Sequence, residues 1–421
     1  MNLSTFPNLR HLRVFEAVGR LQRLGLAAAE QNMTQPAATQ AICKLEEQFG
    51  ATLLTRSQNG STLTEEGKML AARLARFFDQ INAALSEPLL PANRISVEQI
   101  RNRITSGHLC ALAALAERAG IDKAAQALAI SKPSFQRIVR EAARILHRPI
   151  CQRTAHGIVL TRFGTELSRH MKLATLEIEG AAEQIQSMSG PIQACIKIGI
   201  PQLGNSVFLG TVLSELMKKH GEIQLLVTER PKDVLLQELH FGTLDIIYGT
   251  LSETDIGNDF VEESLFRDPY CLVVRTGHPL TGAARISVGD LAKYKWIVPR
   301  VGSFRRGIYE SLFARHARKP KTAIETTSLN IHLSLLQTSD YVTLMKHEEI
   351  MLHERLGTLI TLPLPLRNLH GTVGITTRAG WHATQAQSHL LEIMREQAAR
   401  MPPATPHAAR RARMPRGDAS I

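Results

Sequence analysis

Apolar residues along the first fifty positions recur every three or four residues, the interval at which side chains stack on one face of a helix. Leu9, Leu12, Phe15, Ala17 and Val18 mark a first such face, and residues 27–31 a shorter helix that breaks at Asn32-Met33. Thr34 then offers a capping hydroxyl, and Pro36 stands in the first turn of the next helix, where a missing N–H costs little. Ile42, Leu45 and Phe49 continue a buried stripe to Gly50, a helix terminator. Beyond it, Leu53-Leu54-Thr55-Arg56 and Thr62-Leu63-Thr64 flank Asn59-Gly60, the pattern of a small β-hairpin. The plan is a helix-turn-helix followed by a wing.

The plan is written twice. A gapless offset of 97 residues pairs Ala27-Ala28 with Ala124-Ala125, Pro36 with Pro133, Arg56 with Arg153, Gly60 with Gly157, Leu63-Thr64 with Leu160-Thr161, Gly67 with Gly164 and Leu70 with Leu167. Agreement at one register over that span marks an internal repeat. In the second copy Leu109, Leu112 and Leu115 predict the first helix, residues 124–129 the short one, Ser131 the cap, and Ile138, Val139 and Leu146 the inward face of the third. The outward faces carry Gln35, Thr39, Gln40 and Lys44 in copy one, and Lys132, Gln136, Arg137 and Arg140 in copy two. Such polar and basic groups suit base edges and phosphates in a major groove. Two plainer readings stand beside this one: a second copy kept as a spacer, and a fold that serves protein contacts.

A helix with an apolar stripe follows each copy: Leu70, Leu74, Phe78, Ile81 and Leu85, then Leu167, Met171, Ala174, Ile178, Ala181 and Ile185. The spacing suits pairing with another helix, or packing onto the chain's own body. Pro88, Pro91 and Asn93 interrupt the chain before the second copy, and Ser189-Gly190-Pro191 marks the next boundary. From Ala194 the period changes. Strands at 196–200, 225–227 and 246–248 alternate with helices over 207–220 and 234–241, and further strands are predicted at 271–274, 296–298, 342–345 and 373–376. That alternation predicts parallel sheets and an α/β fold, long enough for two lobes with a cleft.

Charge adds a direction. The net charge of +12 is concentrated before residue 190, where 23 Lys and Arg face 16 Asp and Glu, and after residue 397, where 5 face 1; the stretch between is nearly balanced at 22 to 21. A basic excess on the repeats is what a nucleic-acid partner requires. The five cysteines are scattered with no CxxC pair, which argues for a reducing compartment and against disulfide or zinc frameworks. No signal-type or membrane-spanning apolar run is present, so a cytoplasmic protein without a membrane partner is expected. Catalysis finds no footing: phosphate-loop, dinucleotide and nucleophile-elbow motifs are missing. His347 and His353 are six residues apart, which does not place them on one helix face as a metal pair, so no metal or cofactor is expected.

Copy one also carries Thr34-Gln35-Pro36-Ala37, Leu45-Glu46-Glu47-Gln48-Phe49-Gly50, Arg56 and Leu63-Thr64-Glu65-Glu66-Gly67. In these phrases the chain resembles the LysR-type transcriptional regulators. Copy two keeps Ser131, Pro133, Arg153 and Leu160-Thr161-Arg162-Phe163-Gly164, has Lys132 for the glutamine, and replaces Leu-Glu-Glu with Ala142-Ala143-Arg144. A second head departs from the family's usual single one. Leu239-His240-Phe241-Gly242-Thr243-Leu244-Asp245 with Gly249, and Gly277-His278-Pro279-Leu280, resemble signatures of its effector domain.

The resemblance implies a winged helix-turn-helix at residues 8–67, a linker helix at 68–90 and a two-lobed periplasmic-binding-like (type 2) α/β effector domain at 194–397; the internal repeat adds a second winged helix-turn-helix and linker helix at 104–164 and 165–188, and composition predicts a disordered basic tail at 398–421. It implies operator DNA as partner, contacted through Thr34, Gln35, Pro36, Thr39, Gln40, Lys44 and Arg56, and through Ser131, Lys132, Pro133, Gln136, Arg137, Arg140 and Arg153. It implies dimers or tetramers formed through the linker helices. A small-molecule inducer, sugar-related or another carbon source, would lie between the lobes near Pro201, Gln202, Asn205, Ser206, Ser303, Arg305, Thr327 and Ser328, although each hydroxyl there also reads as a plain helix cap. The alternative is a cytosolic solute-binding protein or enzyme on the same two-lobed scaffold.

Overall fold

The computed structural model describes residues 5–57, 60–86, 97–117, 120–155, 157–201, 207–252, 254–283, 285–316, 319–326, 328–364, 366 and 369–401. The first copy comprises α1 (Leu9–Leu21), α2 (Leu24–Glu30) and α3 (Gln35–Phe49), then a hairpin of β1 (Leu54–Ser57) and β2 (Gly60–Leu63), and the long α4 (Glu65–Leu85). After a short connecting helix α5 (Val97–Arg103), which has no counterpart in the first copy, the plan returns as α6 (Ser106–Glu117), α7 (Ile121–Ala127), α8 (Lys132–Leu146), β3 (Cys151–Thr154), β4 (Gly157–Leu160) and α9 (Arg162–Ser189).

Equivalent residues do equivalent work in the two copies. Thr64 caps α4 by accepting from the Gly67 N–H at 3.0 Å and donates to the Thr52 carbonyl at 2.7 Å. Thr161 caps α9 by accepting from the Gly164 N–H at 3.0 Å and donates to the Pro149 carbonyl at 2.8 Å. A Cβ on Gly67 would lie 2.1 Å from the Leu53 carbonyl oxygen, and one on Gly164 2.0 Å from that of Ile150. The repeated Leu-Thr-x-x-Gly phrase therefore encodes a close helix-on-wing approach that only glycine permits.

The copies differ where α1 and α6 face their long helices. Arg13 and Glu16 of α1 are replaced by Cys110 and Ala113 at the matching positions of α6. Helix α6 consequently buries residues 108–115 without a break and lies close along α9. Helices α1 and α4 instead flank a polar cleft of about 480 Å³, bordered by Arg13, Glu16, Arg20, Phe78, Asp79 and Arg101.

Helices α4 and α9 run antiparallel: Arg73 reaches Glu177 and Gln184, whereas Gln80 meets His170. Leu70, Leu74, Phe77 and Ile81 interlock with the six-residue stripe of α9, Phe77 taking the inward place expected of Phe78. One continuous apolar core runs from Phe6 to Ile185 through both copies. Of the two roles the spacing allowed, packing within the chain is the one these stripes take here. Each linker helix spends its apolar face on the other within the same chain, where tethering raises the effective concentration of the partner helix.

The C-terminal region comprises β5 (Cys195–Pro201), α10 (Val207–Lys219), β6 (Gln224–Arg230), α11 (Lys232–His240), β7 (Ile246–Thr250), β8 (Phe260–Arg275), α12 (Val288–Leu291), β9 (Lys295–Val298), α13 (Phe304–Phe313), β10 (Thr322–Glu325), α14 (Leu329–Thr338), β11 (Tyr341–Lys346), α15 (His347–Arg355), β12 (Leu359–Thr361), β13 (His370–Arg378) and α16 (Gln385–Ala399). The basic tail expected after residue 397 lies, beyond Met401, outside the described residues. The hydrogen-bonded order is β10-β9-β11-β8-β13-β7-β5-β6, with β12 also on β8. Strands β6, β5 and β7 are parallel, as are β10, β9 and β11. Strands β8, β12 and β13 pair antiparallel, a departure from the parallel sheets expected. The reason is that β8 passes from one lobe into the other, pairing with β13 up to Pro269 and with β11 from Tyr270 onward. Separate apolar cores fill the lobes.

Two stability differences follow. Gly67→Ala and Gly164→Ala should each cost on the order of 1–3 kcal/mol through the forced helix-wing displacement. His147 ends α8 at φ 53° where Gly50 ends α3 at φ 66°, so His147→Gly should stabilise by about 1 kcal/mol. Thermal unfolding of the three variants beside the parent checks both, and a neutral Gly67→Ala would contradict the close-approach argument.

Candidate DNA-reading heads and effector cleft

The two third helices present their N-terminal turns outward. Thr34 Oγ1 accepts from the Ala37 N–H at 3.4 Å, and Ser131 Oγ from the Ser134 N–H at 3.3 Å. On α3, Gln35, Pro36, Gln40 and Lys44 are exposed and Thr39 is half-buried, while Ala38, Ala41, Ile42 and Leu45 face the core. On α8, Lys132, Pro133, Arg137 and Arg140 are exposed and Gln136 is half-buried; Phe135 takes the inward place expected of the half-buried Ile138. Arg140 donates to Gln136 Oε1 at 3.3 Å. Lys132 pairs with Asp122 at 2.8 Å, an exposed contact worth about 0.2–1 kcal/mol and readily exchanged for a phosphate. Arg153 is exposed on β3; Arg56 occupies the matching place in β1, and its side chain lies outside the described residues.

The family phrase Leu-Glu-Glu resolves into structure here. Glu46 Oε1 accepts from the backbone N–H groups of Leu53 at 2.9 Å and Leu54 at 3.3 Å, bracing the entry to the first wing. Its counterpart Ala143 offers no such brace. The first wing also leans on its own head, with the Ser61 N–H donating to the Gln22 carbonyl at 3.0 Å. Ile158 and Val159 of the second wing are exposed.

Between the lobes, the expected residues divide. Ser303 caps α13, accepting from the Arg306 N–H at 3.2 Å, and Ser328 caps α14, accepting from the Ile331 N–H at 3.4 Å. The plain capping role foreseen for these hydroxyls is thus occupied. Pro201 ends β5, half-buried; Gln202, Asn205, Ser206 and Thr327 lie outside the described residues. Arg305 is buried, pairs with Glu349 and stands 5.8 Å over the Tyr270 ring.

Arg305 opens onto a buried polar cluster that the sequence did not single out. Glu348 starts α15 in one lobe, yet its Oε1 accepts from the Phe208 N–H at 2.6 Å, at the first turn of α10 in the other. The Glu348 N–H donates to Asp268 at 3.2 Å where β8 crosses between lobes, and Lys346 donates to Thr250 Oγ1. Asp268 Oδ2, Glu348 Oε2, the Tyr248 hydroxyl and His332 Nε2 are buried without a hydrogen-bond partner among the described residues. Burial pushes the Asp268 carboxyl up to about 7, and burial reinforced by Asp268 pushes Glu348 up to about 8. Burial also lowers the Lys346 ammonium. The junction of the lobes therefore gathers donors and acceptors in a water-poor setting, with carboxyls that hold protons near neutrality.

A junction links cleft domain and heads. The guanidinium of Arg73, buried on α4, bonds to Glu177 and Gln184 of α9 and to the carbonyls of His382 and Ala383, just before α16. Gly242, at φ 71°, lies where a Cβ would meet Leu176 at 2.7 Å and Leu173 at 2.9 Å, which seats the effector domain on α9.

Two helix-turn-helix heads joined to a two-lobed cleft domain define a ligand-responsive DNA-binding regulator. A sequence model described as the LysR substrate binding domain matches residues 189–399, and one described as the bacterial regulatory helix-turn-helix protein, lysR family, matches twice, at 9–68 and 107–165. The chain belongs to the LysR family of transcriptional regulators. It is 25% identical over 400 residues to the HTH-type transcriptional regulator GalR of Pseudomonas putida, an alignment covering 93% of this chain and 97% of that one. GbpR of Rhizobium radiobacter is 28% identical over 232 residues, covering 54% of this chain and 77% of its own length. The fold resembles that of a full-length OxyR variant from Pseudomonas aeruginosa, with a TM-score of 0.56 at 20% identity over 71% of this chain and 96% of that one. The GalR and GbpR relatives and the helix-turn-helix model are described as transcriptional regulators, so the enzyme alternative finds no support. LysR regulators bind operator DNA, respond to small molecules and form oligomers. No helix among the described residues is long and apolar enough to cross a membrane.

The raised carboxyls make a pH prediction. The folded cleft keeps a proton on Glu348 that the unfolded chain releases near 4.5, so stability is fullest below that value, declines as pH rises to about 8, and then levels. Asp268 acts in the same direction up to about 7. Thermal unfolding midpoints should therefore fall across this window, and Glu348→Gln should flatten the upper part. A Gln variant with an unchanged profile would remove Glu348 from the cause.

Proposed function

We propose that this chain is a cytoplasmic regulator whose two heads both bind operator DNA while the cleft takes a hydroxyl-bearing metabolite. The observation that carries the reading is the pair of capped third helices, each turning an exposed polar and basic N-terminal face outward from a shared core. On α3 the contacts would come from Thr34, Gln35, Pro36, Thr39, Gln40 and Lys44, with Arg56 from the wing; on α8 from Ser131, Lys132, Pro133, Gln136, Arg137 and Arg140, with Arg153 from its wing. Amides and guanidinium groups at such positions match base edges, and lysines match phosphates.

In the cleft, the unpartnered acceptors and donors of Asp268, Glu348, Tyr248 and His332 favour a ligand rich in hydroxyls over a purely anionic one, since acidic groups outnumber Arg305 and Lys346 there. Ligand that displaces the Glu348 contact to α10 would change how the lobes are held together. The Arg73 junction and the seat of Gly242 on α9 supply a path from that lobe to the heads. Self-association, in this reading, uses surfaces other than the paired linker helices.

Titrating duplex DNA binding against salt tests the core of the proposal. Affinity should fall linearly on a log-log plot, with a slope of about −0.9 for each phosphate neutralised. Absence of any duplex binding at low salt would overturn it.

A further inference from the structure

The paired linker helices relate the two heads by an approximate twofold. Under the 97-residue offset, Arg73 corresponds to His170 and Gln80 to Glu177, so the Arg73–Glu177 bridge at 3.0 Å and the His170–Gln80 contact at 2.9 Å are the same contact seen from opposite sides. Leu9 and Ser106 are also counterparts, and they touch: the Leu9 N–H donates to Ser106 Oγ at 3.0 Å. An axis of this kind, generated in a homodimer by two identical chains, is here closed inside a single chain.

Closure within one chain frees the two reading faces from having to be identical. Gln35, Thr39, Gln40, Cys43 and Lys44 on α3 stand opposite Lys132, Gln136, Arg137, Arg140 and Glu141 on α8. The exposed glutamines of the first head match the N6 and N7 edge of adenine, whereas the exposed arginines of the second match the O6 and N7 edge of guanine. A symmetric dimer reads a palindrome because operator symmetry mirrors protein symmetry. We propose that one chain reads a complete operator of two half-sites that are inverted in orientation but unlike in sequence, one bearing adenine opposite Gln35 and Gln40, the other guanine opposite Arg137 and Arg140. The inference rests on the DNA-binding reading above and adds the operator's asymmetry and a stoichiometry of one chain per pair of half-sites.

Selection of bound sequences from a random duplex pool by the full-length chain tests it, followed by stoichiometric titration of the selected duplex. The expected result is a non-palindromic motif of two blocks, saturated at one chain for each pair. Gln35→Ala with Gln40→Ala should weaken binding roughly 10- to 100-fold and relax only the adenine-bearing block; Arg137→Ala with Arg140→Ala should do the same to the guanine-bearing block. All four positions are exposed, so thermal unfolding of both variants should match the parent. A palindromic motif, two chains for each pair of half-sites, or an arginine double variant with unchanged motif and affinity would each overturn the proposal while leaving DNA binding intact. Failure to enrich any sequence, together with the loss of salt-dependent binding, would instead overturn the reading on which it rests.

Discussion

The antiparallel packing of α4 on α9 is the contact on which the rest of the molecule depends. It joins the cores of two heads into one, and sets the heads on either side of an approximate twofold. Its polar rim does more than satisfy charge. Arg73 is almost wholly buried, and a guanidinium without partners in such a place would be costly. Its partners come from the second linker helix and from the chain just ahead of α16. The same side chain therefore answers to both heads and to the effector domain. Glu177 in turn serves both Arg73 and Arg76, which concentrates the polar anchoring of the helix pair on one side of the axis.

Duplication followed by divergence explains which features the copies share. Residues that hold the winged fold together are retained: Thr64 and Thr161 as caps, Gly67 and Gly164 against a carbonyl, Thr34 and Ser131 at the start of the third helices. Residues on the outward faces are not. The cost of divergence is visible as well, in a left-handed His147 where the first copy has Gly50, and in Ala143 where Glu46 braces the first wing. Replacement of Arg13 and Glu16 by Cys110 and Ala113 lets α6 settle on α9. The first head keeps a polar cleft at the corresponding place and is the less tightly seated of the two.

The effector domain applies the same economy to its lobes. Glu348 brings a carboxyl oxygen to the first turn of α10, where it accepts from the otherwise unpaired Phe208 N–H. The two lobes are thus held by a group that belongs to the protein itself. Asp268 and Lys346 complete a cluster drawn from β8, β11 and α15, next to the Arg305–Glu349 pair. Because burial keeps protons on two of its carboxyls, the cluster carries less charge than its composition implies.

Local order was legible in the amino-acid sequence alone. Periodicity located the helices, the repeat announced two heads, proline and hydroxyl residues marked the starts of α3 and α8, and family phrases identified the class of protein, because each of these depends on neighbours a few residues apart. Helix periodicity also separated the exposed polar faces of α3 and α8 from their buried ones. The pairing of α4 with α9 was not legible: an apolar stripe records that a partner exists and not which one. The cleft cluster was equally hidden, since Tyr248, Asp268, Glu348 and Phe208 meet only when the sheet brings distant segments together. Spacing did not reveal the surroundings of Lys346 and Glu349 either, since Thr250, 96 residues from Lys346, and Arg305, 44 residues from Glu349, reach them only in the folded chain. Chemistry carried by adjacent residues belongs to the sequence; chemistry assembled across a hundred residues is decided by tertiary packing, because only the folded chain sets distance, burial and the loss of water.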